Sequence, residues 1–157
     1  MRWFAVLISS LCLAMAAQAQ DSLIKVKSAH SVRATLDRLE TALNEKGVTV
    51  IARVDHAAAA QKVGMTLRPT EVLVFGNPKA GTPLMQCAQS IGIDLPQKAL
   101  AWQDEKGDVW LAYNDQKYLA QRHAAKGCDA PVTAMSAPMF ESANAFVNSA
   151  AKNTITR

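Results

Sequence analysis

Residues 71–86, EVLVFGNPKAGTPLMQ, decide how this chain is read. From Val72 to Phe75 every side chain is apolar, so both faces of the segment are expected to be covered and it reads as a central strand. Residues 76–81 then read as a loop, with Gly76 and Gly81 supplying unusual backbone angles and Pro78 fixing a turn. Thr82 is expected to cap a helix whose first position is Pro83 and which runs to about Ile91 before Gly92. Two readings of the loop stand. It is a plain turn, or its free backbone N–H groups beside Lys79 cradle a carboxylate or phosphate. The stretch lacks the Gly-Lys-Ser/Thr ending of a phosphate-binding loop.

On the N-terminal side, VTVIARVDH (48–56) alternates as a half-buried strand, and Asp55 is placed to cap a short helix closed by Gly64. Before it, Val32, Leu36, Leu39 and Leu43 recur at helical spacing, with Ser31 as cap and Gly47 as stop. Ile24 and Val26 alternate with Lys25 and Lys27, the pattern of a strand near a sheet edge. On the C-terminal side, KALAWQDEKGDVWLAY (98–113) reads as a hairpin turning at Gly107. A loop from Asp104 to Gly107 pairs Trp102 with Val109 and Leu100 with Leu111; a bulge slips that register and swaps the faces. Asp115 caps QKYLAQRHAAK, ended by Gly127, and an irregular tail from Asp129 to about Pro138 leads into an amphipathic helix from Met139. The whole reads as a single two-layer α+β domain, a roughly five-stranded mixed sheet with helices mainly on one face.

Three strands hand directly to helices through polar residues: Asp55-His56, Asn77-Pro78-Lys79 and Tyr113-Asn114-Asp115. If those strands run parallel, their C-terminal ends lie together, where open α/β sheets bind ligands. On that condition His56, Asn77, Lys79, Gly81, Thr82, Asn114 and Asp115 are the candidate ligand-binding residues, for a small anion. An enzyme reading uses His56 or Asp115 as acid or base; the plain reading makes Asp55 and Asp115 helix caps. Ser, His and Asp are present without a nucleophile-elbow motif, so no catalytic residue is assigned.

The first residues, MRWFAVLISSLCLAMAAQAQ, carry one charge at Arg2, an apolar run and the triplet Ala17-Gln18-Ala19. They read as a signal peptide, residues 1–19, cut before Gln20. The run is short for a spanning helix, which needs about 20 apolar residues, so no membrane anchor is expected after cleavage. Without Arg2 the chain has 16 Lys+Arg against 13 Asp+Glu, a spread charge of +3 that gives no basic run for nucleic acid. Cys87 and Cys128 remain, as disulfide partners or as buried thiols. Capture of a soft metal with Met85, Met135, Met139 and His123 is the sharper alternative, but no spacing motif supports it; no metal and no cofactor is expected.

GVTVIARVDHAAAA, LRPTEVLVFGNPKAGTPLMQ, IGIDLPQKALAWQDEKGDVWLAYND and YLAQRH together resemble the domain of unknown function 302 family over roughly residues 22–125. The resemblance implies a compact, dimeric α+β domain spanning 20–127, followed by a C-terminal extension, 128–157, with an amphipathic helix. It implies no reaction. Gln116 stands where relatives commonly have proline, and the two cysteines look particular to this chain, which favours a disulfide. The expectation for function is a periplasmic or secreted module binding a small anionic ligand. A dimer-forming interaction protein acting through Trp110 and the tail helix is the alternative.

Overall fold

The structure, a computed structural model, describes residues 22–154. The expected signal peptide lies outside these residues. The elements follow as β1 (Leu23–Ser28), α1 (Val32–Glu45), β2 (Thr49–Asp55), α2 (His56–Lys62), β3 (Thr70–Gly76), α3 (Pro78–Cys87), a 3-10 turn (Gln89–Ile93), β4 (Gln97–Gln103), β5 (Val109–Asn114), α4 (Gln116–Arg122) and α5 (Asp129–Thr154).

The five strands form one sheet in the order β1-β5-β4-β3-β2, and every pairing is antiparallel. The architecture is α+β, as expected, but the sheet is antiparallel rather than mixed. The helix between β2 and β3 stands at the end of the sheet and returns the chain beside itself, so the unit works as a long hairpin and not as a crossover.

One face of the sheet makes the main core. Leu36, Leu39 and Leu43 of α1 are fully buried against Leu73 and Phe75 of β3, Ala99 and Ala101 of β4, and Leu111 and Tyr113 of β5, with Met139 and Ala143 of α5 closing the side. The alanines on β4 leave room for the α1 leucines, which is why small and large residues alternate across the layers. A second cluster, Leu84, Ile91, Leu119, Cys128, Val132 and Met135, binds α3, α4 and α5 to one another at the sheet end.

The β4–β5 register differs from the expected one. Trp102 faces Trp110, Leu100 faces Ala112 and Ala101 faces Leu111. The reason lies in Asp104, whose carboxylate accepts from the backbone of Lys106 and Asp108 and from the Trp110 indole. The loop therefore reaches one residue further, to Asp108, and both tryptophans go to the face away from the helices. Two helices also differ. α4 stops at Arg122, because Ala124 takes a left-handed φ of 51°; α5 begins at Asp129 and runs through Pro138, where an irregular tail was expected.

Candidate functional site

Asn77 decides how the loop after β3 is built. The residue is the N-cap of α3, its side-chain oxygen accepting from Lys79 N at 2.9 Å, and Pro78 takes the first helical position. Thr82 and Pro83 lie inside the helix. Gly76 and Gly81 are absent from the positive-φ residues, which among the described glycines are Gly47, Gly64, Gly107 and Gly127. The Asn77 carbonyl takes the N–H groups of Ala80 and Gly81. The first donors of the helix are thus used by the chain itself, and the expected anion cradle is closed from within.

Strand direction separates the other candidates. β3 and β5 run the same way, so Asn77 and Asn114 share one end of the sheet, with β4 between them, about 10 Å apart at usual strand spacing. β2 runs the opposite way. Asp55 pairs with Glu71, and His56 therefore stands at the far end, roughly 20 Å away by strand rise. Asp55 and Asp115 both act as caps, accepting from Ala58 N and Lys117 N. The cluster that a parallel sheet would have made does not form.

The same sheet end holds a cleft instead, with a cavity volume of about 470 Å³. Val48, Phe75 and Gly76 form its floor. Pro78, Ala80, Gly81, Thr82 and Met85 of α3 make one wall, Gly92, Leu95 and Pro96 a second, and Met135, Pro138 and Met139 of α5 the third. Of the expected ligand residues, Asn77, Gly81 and Thr82 line it, whereas Lys79, His56, Asn114 and Asp115 do not. Its polar side chains are largely committed: Asn77 also donates to Gly47 O, and Gln97 donates to Met135 O and accepts from Gln116. Lys46 lies at the rim and pairs with Glu141 at 2.5 Å.

A disulfide joins Cys87 at the end of α3 to Cys128 just before α5, with Cα atoms 6.2 Å apart. Nearby, His123 Nε2 meets Asp94 Oδ2 at 2.6 Å, and its Nδ1 meets Ser90 Oγ at 3.0 Å. The three residue types are those of a hydrolase triad with the ring nitrogens exchanged. Asp94 also holds Arg122 at 3.3 Å, so the group ties the 3-10 turn and its exit to α4. Sequence reasoning missed it because Ser90, Asp94 and His123 share no motif. Among the described residues no group of three or more His, Cys, Asp or Glu is placed to hold a metal ion.

Residues 24–142 match the family described as Domain of unknown function DUF302. The chain belongs to this family. The DUF302 match includes the first half of α5. A crystal structure of an uncharacterized conserved DUF302 protein from Bacillus stearothermophilus has the same fold, with a TM-score of 0.66 at 18% identity over 82% of this chain and 98% of that one. Curated relatives carry a functional name. Fluoride-specific ion channel FluC 1 of Brucella suis is 48% identical over 110 residues, 70% of this chain and 43% of the relative. FluC 1 of Brucella abortus is also 48% identical over 110 residues, covering 41% of that protein. The DUF302 chain thus spans about two fifths of the length of the curated relatives it matches.

These relatives overturn the functional expectation. They are named as channels, proteins of a membrane, and not as periplasmic or secreted modules for a small anion. The expected localisation falls with it. Among the described residues no helix is long and apolar enough to cross a membrane.

Proposed function

We propose that this chain is a companion domain of fluoride conduction, docking at the membrane on a fluoride channel that supplies the pore. The observation that carries the reading is the 48% identity over 110 residues to proteins named fluoride-specific ion channels. More than half of each such relative lies beyond the match, and the pore is assigned to that remainder. The matched part contributes a folded surface to the channel.

The face of the sheet away from α1 fits such docking. Val72, Val74, Leu100, Trp102 and Trp110 point to it by strand alternation, and neither buried cluster includes them. Val54 on the same face is 40% exposed, and the connector after α2 presents Val63 and Met65 at 72% and 66%. Apolar surface rich in tryptophan is the composition that protein interfaces use at their centres.

Growth in sodium fluoride tests the reading. A strain lacking this chain is expected to tolerate less fluoride, and the intact chain to restore tolerance. The double variant Trp102→Glu/Trp110→Glu is expected not to restore it, and not to accompany the membrane fraction. Unchanged tolerance in the deletion strain, with the intact chain absent from membranes, overturns the proposal.

A further inference from the structure

The cleft at the end of β3 goes beyond docking on a channel. We infer that it binds a single alkyl chain carrying an anionic head, the chemistry shared by free fatty acids and lysophospholipids, with the chain inside the cleft and the head at Lys46.

Size, lining and charge each support this occupant. The volume of about 470 Å³ lies within the range of roughly 300–1,000 Å³ typical of small-molecule sites. It equals about sixteen water volumes of some 30 Å³ each, room for a medium-length chain and not for a folded partner segment. The walls are apolar, and three of their side chains are methionines, whose unbranched thioethers adjust to a flexible chain. The amides of Asn77 and Gln97 are already bonded within the protein, so the interior makes little demand for a polar ligand. Among the described residues, Lys46 is the one lysine or arginine lining the cleft. Its ion pair with Glu141 is a partly exposed one, so an incoming carboxylate or phosphate competes for the ammonium at small cost.

Glycine keeps the space open. A Cβ at Gly81 would stand 3.6 Å from Met135 Cε and 3.7 Å from Leu95 Cδ1, ordinary contact, so an added methyl fits and anything larger takes volume from the cleft.

The full chain is titrated with acetate, octanoate, decanoate and laurate below their micelle concentrations, by calorimetry without fluoride or channel present. Affinity is expected to rise by about fourfold per methylene, the factor for moving one CH₂ out of water, until the cleft is full. Acetate is expected not to bind. Lysophosphatidylglycerol in a parallel titration separates the two sources of the head group: whichever amphiphile binds at least tenfold tighter is the natural class. Lys46→Ala is expected to weaken laurate about tenfold and leave dodecanol unchanged. Gly81→Leu is expected to abolish both with the circular dichroism spectrum intact. Affinity independent of chain length, or laurate binding unmoved by either variant, overturns the inference. Because the assay contains no channel, it fails or succeeds independently of the fluoride phenotype.

Discussion

Arg53 carries more of the fold than its place on an edge strand implies. Its guanidinium meets Glu71 at 2.8 Å, Asp37 at 2.5 Å and the Arg33 carbonyl at 3.0 Å, joining β2 to β3 and to α1. Burial pulls its pKa down, but the bonds to Asp37 and Glu71 outweigh that and leave it raised. Glu71 is only 8% exposed, so removing Arg53 strands a buried carboxylate. Arg53→Met is expected to destabilise by about 2–3 kcal/mol, and Arg53→Met/Glu71→Met by markedly less, in urea unfolding. Asp104 gives the pH counterpart. Its bond from the Trp110 indole, chiefly, holds its carboxyl below the usual aspartate value, against a smaller opposing desolvation and helped by the backbone of Asp108 and Lys106. A depressed carboxyl contributes stability above its unfolded pKa, and that stability is lost as pH falls through the lower folded value. Tryptophan fluorescence is therefore expected to change across that acid range in the wild type and to lose the transition in Asp104→Asn. At this scale the caps Ser31, Asp55 and Asp115 were legible, since each is a short polar side chain just before a helix. Asn77-Pro78 obeys the same rule, yet Thr82-Pro83 imitates it five residues later. The imitation arises because Pro83 is tolerated inside α3, where it leaves Lys79 O without its usual intrahelical donor.

Among the elements, α3 and α5 depend on the covalent tie between Cys87 and Cys128. The bond closes a separation of 41 residues, and loop-closure entropy of that length corresponds to as much as about 4 kcal/mol. Cys87→Ala/Cys128→Ala is expected to lower stability by about 2–4 kcal/mol, read as a reduced thermal midpoint, with α1 and the sheet retained at low temperature. All five strands were legible, β3 as a continuous apolar run and the others from alternation or the hairpin pattern, but their directions were not. A strand followed by a helix and a second strand describes both a parallel crossover and an antiparallel return, and only the packing of α2 at the sheet end distinguishes them. The hairpin register hid for a related reason: three bonds to one carboxylate fix it, and spacing alone does not report them. Both edges of the sheet carry protection against stray pairing. β1 has Lys25 and Lys27 on its outward positions, and β2 breaks its ladder between Val50 and Ala52, bulging Ile51 outward.

For the whole molecule, the layers were written in the sequence and the function was not. Hydrophobic period records which face of a strand or helix is buried, so it foretells a core. A cleft, by contrast, is space left between elements distant in sequence; this one joins Val48, Gly81, Pro96 and Met135, which no local pattern connects. The candidate anion residues failed as a group because their union required a strand direction, and direction is a property of the complete sheet. The proposed docking on a channel rests on no motif either. What the sequence displayed was the two tryptophans of the hairpin, whose common place on one face emerged only with the register.

The order of the sheet also sets a timetable. Among the described strands β1 is made first, yet its one neighbour there is β5, with Leu23 opposite Asn114. A ribosome adding roughly 5–20 residues per second needs about 5–18 seconds to travel between those two positions. Throughout that interval β1 has no partner among the described strands. Closure of the sheet thus waits for the synthesis of β5, and any nascent product stalled before β5 exposes two strand edges that β5 otherwise joins.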